Sequence, residues 1–303
     1  MALHIETPLI ESVPLSRASG RSVWLKMDAL QPPGSFKIRG IGAACEHHAK
    51  NGKRRFVSSS GGNAGMAVAY AGRRLQVPVS VFVPQTTTER AIALIRQEGA
   101  EVIVHGAAWD EAHVRALASL DANTAFIHPF DDPLLWAGHA TMIDEVVRAG
   151  LAFDAVVLSV GGGGLLSGVA EGLERNGLGD IPIVAAETEG TASFAASFKA
   201  GALVELRSVT GVATSLGARK VCARAFEISQ TRPVECAVVS DAVAIDACNR
   251  FLDDHRVVVE PACGASLAVA YIHAEQLARF ERVLIIACGG ATATVERLQA
   301  WQG

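Results

Sequence analysis

From Arg55 onward the chain alternates short apolar, β-rich runs with helix-patterned segments, and no other feature narrows the fold as much. FVSSS (56–60) precedes NAGMAVAYAGRRL (63–75), VPVSVFV (77–83) precedes TERAIALIRQEG (88–99), EVIVHG (101–106) precedes WDEAHVRALASL (109–120), and TAFIHP (124–129) precedes PLLWAGHATMIDEVVRAG (133–150). The pattern continues through DAVVLSV (154–160), LLSGVAEGLERNG (165–177) and IPIVAAE (181–187) and recurs at RVLIIACGG (282–290). Such alternation is the mark of βαβ units, so the chain is read as α/β, with parallel sheets covered by helices. About a dozen strands exceed what one twisted open sheet usually holds, and the Gly-rich turns group around 60 and 161. Two domains are therefore expected: a small one over 38–134 and a large one from 1–37 and 135–303. SVWLKM (22–27) fits either sheet, and no Pro/Ser linker marks the junction.

Composition removes several classes of function. The 303 residues are 50% hydrophobic and 19% charged, with a net charge of −4. That charge offers no basic field for a phosphate backbone, so nucleic acid is not expected as a partner. No uncharged apolar run reaches a bilayer span, and MALHIETPLI has neither a basic n-region nor an h-region. A cytoplasmic protein with no membrane partner is expected. The six cysteines, at 45, 222, 236, 248, 263 and 288, form no C-x-x-C pair, which indicates neither a disulfide framework nor a zinc site.

Four segments could carry chemistry. In PPGSFKIRG (32–40) a Pro-Pro-Gly turn delivers Lys37 to a helix start, where helix dipole and burial both disfavour an ammonium. The amine would then have a lowered pKa, as a Schiff-base lysine needs; alternatively, Lys37 snorkels to solvent beside Arg39. SSSGGNAGMAVAYAG (58–72) runs from a strand end into a helix of small residues. Its free amides could hold a carboxylate and Asn63 could meet a ligand oxygen, or the stretch is a turn with an N-cap. LSVGGGGLLSGVAEGL (158–173) places four glycines before a helix, either to let amides approach a phosphate or as a tight crossover. It matches neither the dinucleotide fingerprint nor the P-loop. In RVLIIACGGATATVERL (282–298), Cys288 follows a buried strand whose end faces the ligand crevice of an open α/β sheet; it could equally be a packing residue.

Taken together and in this order, these segments resemble the fold-type II pyridoxal-phosphate enzymes, with their tryptophan synthase β-like architecture, and most closely the catabolic L-serine/L-threonine dehydratase family. ETEGTASF (187–194), GVATSLGA (211–218) and VVVEPACGASLA (257–268) are similar to the same subfamily. The resemblance implies that Lys37 holds pyridoxal 5'-phosphate covalently, that Phe36 lies against its ring and that Asn63 meets its 3'-oxygen. Gly161, Gly162, Gly163, Gly164 and Leu165 would cradle the phosphate, Cys288 would contact the pyridine nitrogen, and Ser215 would face the ring from the other side. Ser60, Gly61, Gly62, Asn63 and Ala64 would hold the substrate carboxylate. Glu187, Thr191, Ser193, Leu216 and Ala218 match the family's monovalent-cation site, with potassium the expected ion. An amino-acid substrate and a homodimer are likewise implied.

The implied reaction converts L-serine to pyruvate and ammonia, and L-threonine to 2-oxobutyrate, with the Lys37 amine as general base. The four segments hold no Asp or His, and their Glu171 and Glu296 lie well beyond the glycine turns, so the leaving hydroxyl is expected to take its proton from the cofactor's phosphate. Three positions depart from the family pattern. Gly61 stands where the liver-type enzymes commonly have alanine and the racemases serine, which removes a candidate second base. Ser215 replaces a small apolar residue, and Ala291-Thr292 follows the Gly pair where Ser-Asn or Asn is commoner. The chain's length is that expected of a catabolic form without a regulatory domain. Another fold-type II elimination or replacement enzyme, a serine racemase, and a non-catalytic binder of phosphate ligands remain the competing readings.

Overall fold

The computed structural model describes residues 2–302. Ten strands form two sheets: β1 (Leu9–Glu11), β2 (Ser22–Lys26), β3 (Arg55–Ser58), β4 (Val79–Val83), β5 (Glu101–Val104), β6 (Thr124–Phe126), β7 (Ala155–Ser159), β8 (Ile183–Thr188), β9 (Val234–Val239) and β10 (Arg282–Ile286). The larger sheet has the order β1-β2-β10-β7-β8-β9 and the smaller β5-β4-β3-β6. Every pairing is parallel except β1 with β2. SVWLKM, which the sequence could assign to either sheet, is β2 of the larger one, in register with β10 from Ser22↔Arg282 to Lys26↔Ile286.

Twelve helices cover the sheets: α1 (Val13–Ser19), α2 (Lys37–Lys50), α3 (Asn63–Leu75), α4 (Glu89–Gln97), α5 (Trp109–Leu117), α6 (Pro133–Arg148), α7 (Gly164–Arg175), α8 (Ser193–Ala200), α9 (Ala223–Thr231), α10 (Asp241–His255), α11 (Pro261–Tyr271) and α12 (Val295–Gln302). The central strands β4, β7 and β8 are buried along their whole length, as strands covered on both faces must be. One apolar core surrounds the larger sheet and a second lies between the smaller sheet and α2 and α3. Helix α11, apolar and buried throughout, packs on β7, β8 and β9.

Helix α6 packs against both α2 and α7, and small residues set how closely. A Cβ on Gly138 would lie 2.7 Å from the Gly40 Cα, and one on Gly40 would lie 2.7 Å from the His139 ring. The run of Gly and Ala that makes α2 look like core is thus the condition for backbone-to-backbone approach. A buried charge cluster fastens the same helix. Arg39 donates to Asp28 through Nε at 2.6 Å and to both carboxylate oxygens of Glu145 at 2.7 Å. Lys26 Nζ lies 2.5 Å from Glu145 and donates to the Thr7 carbonyl at 2.6 Å. Arg39 and Asp28 are 0% exposed, so Arg39 does not offer Lys37 a path to solvent.

Removing one partner from such a cluster leaves uncompensated buried charge. Arg39→Ala should therefore lower stability by about 3–5 kcal/mol, read as a drop in the urea midpoint with an unchanged slope. Although burial opposes it, Arg39 and Lys26 hold the Glu145 carboxyl below its ordinary value. The stability Glu145 contributes is complete above the ordinary carboxyl range and is lost as pH falls through the lowered value.

Candidate active site

The stretches that follow the carboxyl ends of β2, β3, β7 and β10 carry the four segments singled out in the sequence, as the crevice rule for open α/β sheets requires. The first and fourth are laced together by main-chain bonds. Ala29 N–H donates to the Ala287 carbonyl at 2.7 Å, Phe36 N–H to the Cys288 carbonyl at 3.0 Å, and Gly290 N–H to the Gly34 carbonyl at 2.9 Å. Gly34 has φ +78°, and a Cβ there would sit 2.8 Å from the Ala291 Cβ, so the Pro-Pro-Gly turn admits only glycine at its third place. This lacing delivers Lys37 as the first residue of α2.

Lys37 is half-buried, and its Nζ donates to the Pro129 carbonyl at 2.6 Å and lies 5.1 Å from the Phe36 ring centroid. Desolvation lowers its amine from the ordinary 10.5 to about 8, outweighing the raising influence of Cys288, Glu260 and Cys222. The snorkelling alternative therefore does not describe this side chain. Phe36 packs at 4.8 Å against His139, whose Nδ1 accepts from Gly40 N–H at 3.2 Å.

Asn63 begins α3 after the Ser60-Gly61-Gly62 turn. Its Nδ2 donates to Glu260 at 2.6 Å, and its Oδ1 accepts from Ala291 N–H at 3.1 Å. A Cβ on Gly62 would meet nothing within 4 Å, whereas one on Gly61 would lie 2.7 Å from Thr87. Ala64 is buried and Ser60 half-buried. In the tetraglycine loop, among the described residues no protein acceptor takes a hydrogen bond from the amides of Gly161, Gly162, Gly163, Gly164 or Leu165. These amides precede and open α7, and together with the helix dipole they form a site of partial positive charge. Phe130 adjoins both ends of the site. A Cβ on Gly164 would lie 2.8 Å from its carbonyl, and Pro129 just before it accepts from Lys37. Cys288 is 6% exposed, and contact with Cys263 together with burial holds its thiol well above the ordinary range.

The other expected positions fall near the end of β8 and in the turn at 214–216. The Glu187 carboxylate accepts from Phe194 N–H at 2.9 Å and Ala195 N–H at 2.7 Å, and burial raises it to about 7. Thr191 and Ser193 are fully buried, with the Ser193 hydroxyl unpartnered. Leu216 is buried and Ala218 half-buried. Ser215 is exposed and neighbours the Glu260 carboxyl.

Two ionisable residues outside the four segments reach this place. Glu260 is 6% exposed, and burial lifts its carboxyl to about 7 against the polar influence of nearby Ser215, the hydrogen bond from Asn63 and the charge of Lys37. The signal available in sequence was a lone charge in the apolar run VVVEPACG. His128 Nδ1 accepts from Asp131 N–H at 2.7 Å and Phe130 N–H at 3.2 Å. Burial and the Lys37 charge push that imidazole down to about 4, leaving a neutral ring with its proton on Nε2.

The profile of the family described as "Pyridoxal-phosphate dependent enzyme" matches residues 2–289. The chain is 46% identical to human L-serine dehydratase/L-threonine deaminase, over 98% of this chain and 94% of the human protein. It is 45% identical to the L-serine dehydratase of Dictyostelium discoideum, over 98% and 91%. Among solved structures it is similar to a fungal L-serine ammonia-lyase from Rhizomucor miehei, with TM-score 0.94, 35% identity and coverage of 100% and 99%. It is also similar to the processed form of threonine deaminase isoform 2 from Solanum lycopersicum, with TM-score 0.90, 28% identity and coverage of 99% and 88%.

The lowered amine has a direct readout. Trapping a small aldehyde on Lys37 with borohydride should rise with pH, because the neutral amine is the nucleophile, and should level off above about 8. A midpoint near the ordinary lysine value of 10.5 would mean that Lys37 is hydrated.

Proposed function

The chain belongs to the pyridoxal-phosphate dependent enzymes, and on that premise we propose that it is an L-serine ammonia-lyase (dehydratase), releasing pyruvate and ammonia, and that it also converts L-threonine to 2-oxobutyrate. The observation that carries this reading is the pairing of a desolvated, nucleophilic Lys37 amine with the uncommitted amides of residues 161–165, in a chain about 45% identical to L-serine dehydratases over nearly its full length.

The residues present fit the cofactor. The free amides at the start of α7 suit its phosphate, the Asn63 amide can reach its 3'-oxygen, and Lys37 can bond its carbonyl carbon. Phe36 would lie against its ring. Cys288, protonated at neutral pH, offers a thiol rather than a carboxylate to the pyridine nitrogen. When bound, pyridoxal phosphate supplies an electron sink for the pair left at the substrate's α-carbon.

The chain's own groups do the rest. The substrate carboxylate is held by Ser60, Gly61, Gly62, Asn63 and Ala64 at the start of α3, where the helix dipole favours an anion. Lys37 Nζ, anchored near the α-carbon, takes the α-proton. A pKa near 8 serves this step, since the amine begins to lose its proton within about one unit of neutral pH. The electron pair freed at the α-carbon forms the Cα–Cβ double bond as the C–O bond breaks. The leaving hydroxyl takes up one proton, equivalent to the one Lys37 removed, to depart as water, and hydrolysis of the resulting enamine gives the oxoacid and ammonia. Gly61 presents no hydroxyl to the second face of the substrate, and a side chain there would press on Thr87, which supports elimination over racemisation.

The proposal extends to a small domain over 38–134 and a large one from 1–37 and 135–303, a reading supported by the confinement of β3 to β6 to residues 55–126. Among the described residues no helix is long and apolar enough to cross a membrane. A cytoplasmic homodimer with potassium held by Glu187, Thr191, Ser193, Leu216 and Ala218 rests on the family resemblance. The buried, unpartnered Ser193 hydroxyl beside the expected cation residues is in keeping with an ion there.

Protein supplied with pyridoxal phosphate and L-serine should yield pyruvate and ammonia in equal amounts. Lys37→Ala should lower the rate by about 10³-fold or more, and normal turnover by that variant would remove Lys37 from the mechanism. Cys288→Ala should keep the cofactor but lose most activity. Unchanged kinetics in that variant would make Cys288 a packing residue.

A further inference from the structure

The four glycine- and lysine-bearing segments leave one buried carboxyl without a role. On the reading that the site holds pyridoxal phosphate, we propose that Glu260 is a positioning residue, which locks the Asn63 amide so that its remaining N–H is aimed at the ligand's phenolic oxygen.

The geometry determines which way the amide faces. A primary amide has two N–H donors and one carbonyl acceptor. Asn63 Oδ1 takes the Ala291 N–H at 3.1 Å, and one Nδ2 hydrogen goes to Glu260 Oε1 at 2.6 Å. Turning the amide over would set Nδ2 against a donor and Oδ1 against an acceptor, losing both bonds in a place where water cannot replace them. One N–H is left over. Asn63 therefore reads its ligand as an acceptor, and Glu260 supplies the stronger of the two restraints.

Glu260 is held for this task from its own backbone outward. Its N–H donates to the Gly289 carbonyl at 3.4 Å, and its carbonyl accepts from Cys263 N–H at 2.8 Å and Gly264 N–H at 2.9 Å at the start of α11. The side chain passes over Gly290, where a Cβ would lie 2.5 Å from both its Cβ and Cγ. The second glycine of Cys-Gly-Gly thus makes room for Glu260. Around the carboxyl stand Lys37 from α2, Ser215 from the turn at 214–216 and Arg297 from α12. The thiols of Cys248 on α10 and Cys288 after β10 also feel its charge. Ionised or protonated, the carboxyl keeps an acceptor oxygen toward Asn63, and in either state the Ala291 N–H opposes the turned-over amide, which would set a donor against it.

The test is a double-mutant cycle on binding of pyridoxal phosphate to the cofactor-free protein, followed by fluorescence quenching and by the absorbance of the bound cofactor. Glu260→Ala should weaken binding about tenfold and shift the absorbance maximum. In an Asn63→Ala background the same change should have no further effect, because Glu260 acts through Asn63. Glu260→Gln, which keeps the acceptor, should stay within about threefold of wild type. Glu260→Met, isosteric without an acceptor, repeats the cycle should the alanine variant fail to fold. Wild-type affinity in Glu260→Ala or Glu260→Met, an equal loss in the Asn63→Ala background, or a Gln variant as weak as the alanine variant would each overturn the inference while leaving the cofactor reading intact. Failure of the wild-type protein to bind pyridoxal phosphate would instead remove that reading, and the role of Glu260 with it.

Discussion

Everything near Lys37 depends on a buried ion quartet of zero net charge. Lys26 and Arg39 face Asp28 and Glu145, drawing together β2, the turn that follows it, α2 and α6. Burial of a single charge is prohibitive, and burial of a matched, multiply hydrogen-bonded set is tolerable. The quartet therefore acts as a geometric clasp: its members have few alternative places to be. Arg39 lies two residues beyond Lys37 on the same helix, so the clasp fixes the depth and rotation at which α2 presents its first residue. The small residues of α2 then allow α6 to approach on one side, and the main-chain lacing to the segment after β10 closes the other.

Two kinds of desolvated basic side chain sit within this small region, and the difference between them is instructive. Arg39 meets two carboxylates, and Lys26 one carboxylate and one carbonyl. Lys37 is desolvated as well, yet its hydrogen bond goes to the neutral Pro129 carbonyl. The same low polarity that forces the quartet to pair thus lowers an amine left without a carboxylate partner of its own. A lysine held as a cation and one with a lowered amine differ here by the presence of a directly bonded anion.

The fold class was legible because helix and strand periodicities alternate so regularly between 55 and 187 and again at 282–290. The elements that escaped were those with weak patterns. β9 is VECAVV, interrupted by Glu235 on an edge strand that faces solvent in part, and β1 is only three residues long. Lys37, Asn63, the tetraglycine and Cys288 could be singled out because each sits at a strand end or helix start with unusual local composition. Glu260 and His128 could not be placed in the same way. Their significance lies in contacts to residues far away in sequence, such as the bond from Asn63 to Glu260 across 197 positions, and local pattern carries no information about such pairs. The placement of Arg39 in solvent, which the snorkelling alternative required, fails for the same reason: its partners at 28 and 145 are brought to it only by the fold.

The lacing between residues 29–36 and 287–290 has a consequence for how the molecule comes into being. β2 is flanked on one side by β1, which precedes it, and on the other by β10, the last of the ten strands. During synthesis the segment bearing Lys37 therefore emerges early but has no template for its final shape until some 250 later residues have been made. The smaller sheet, built from strands contiguous in sequence, can form in the interval. The Lys37 amine is the opposite case, encoded early and assembled last, so that a half-made chain does not yet present it in its desolvated setting.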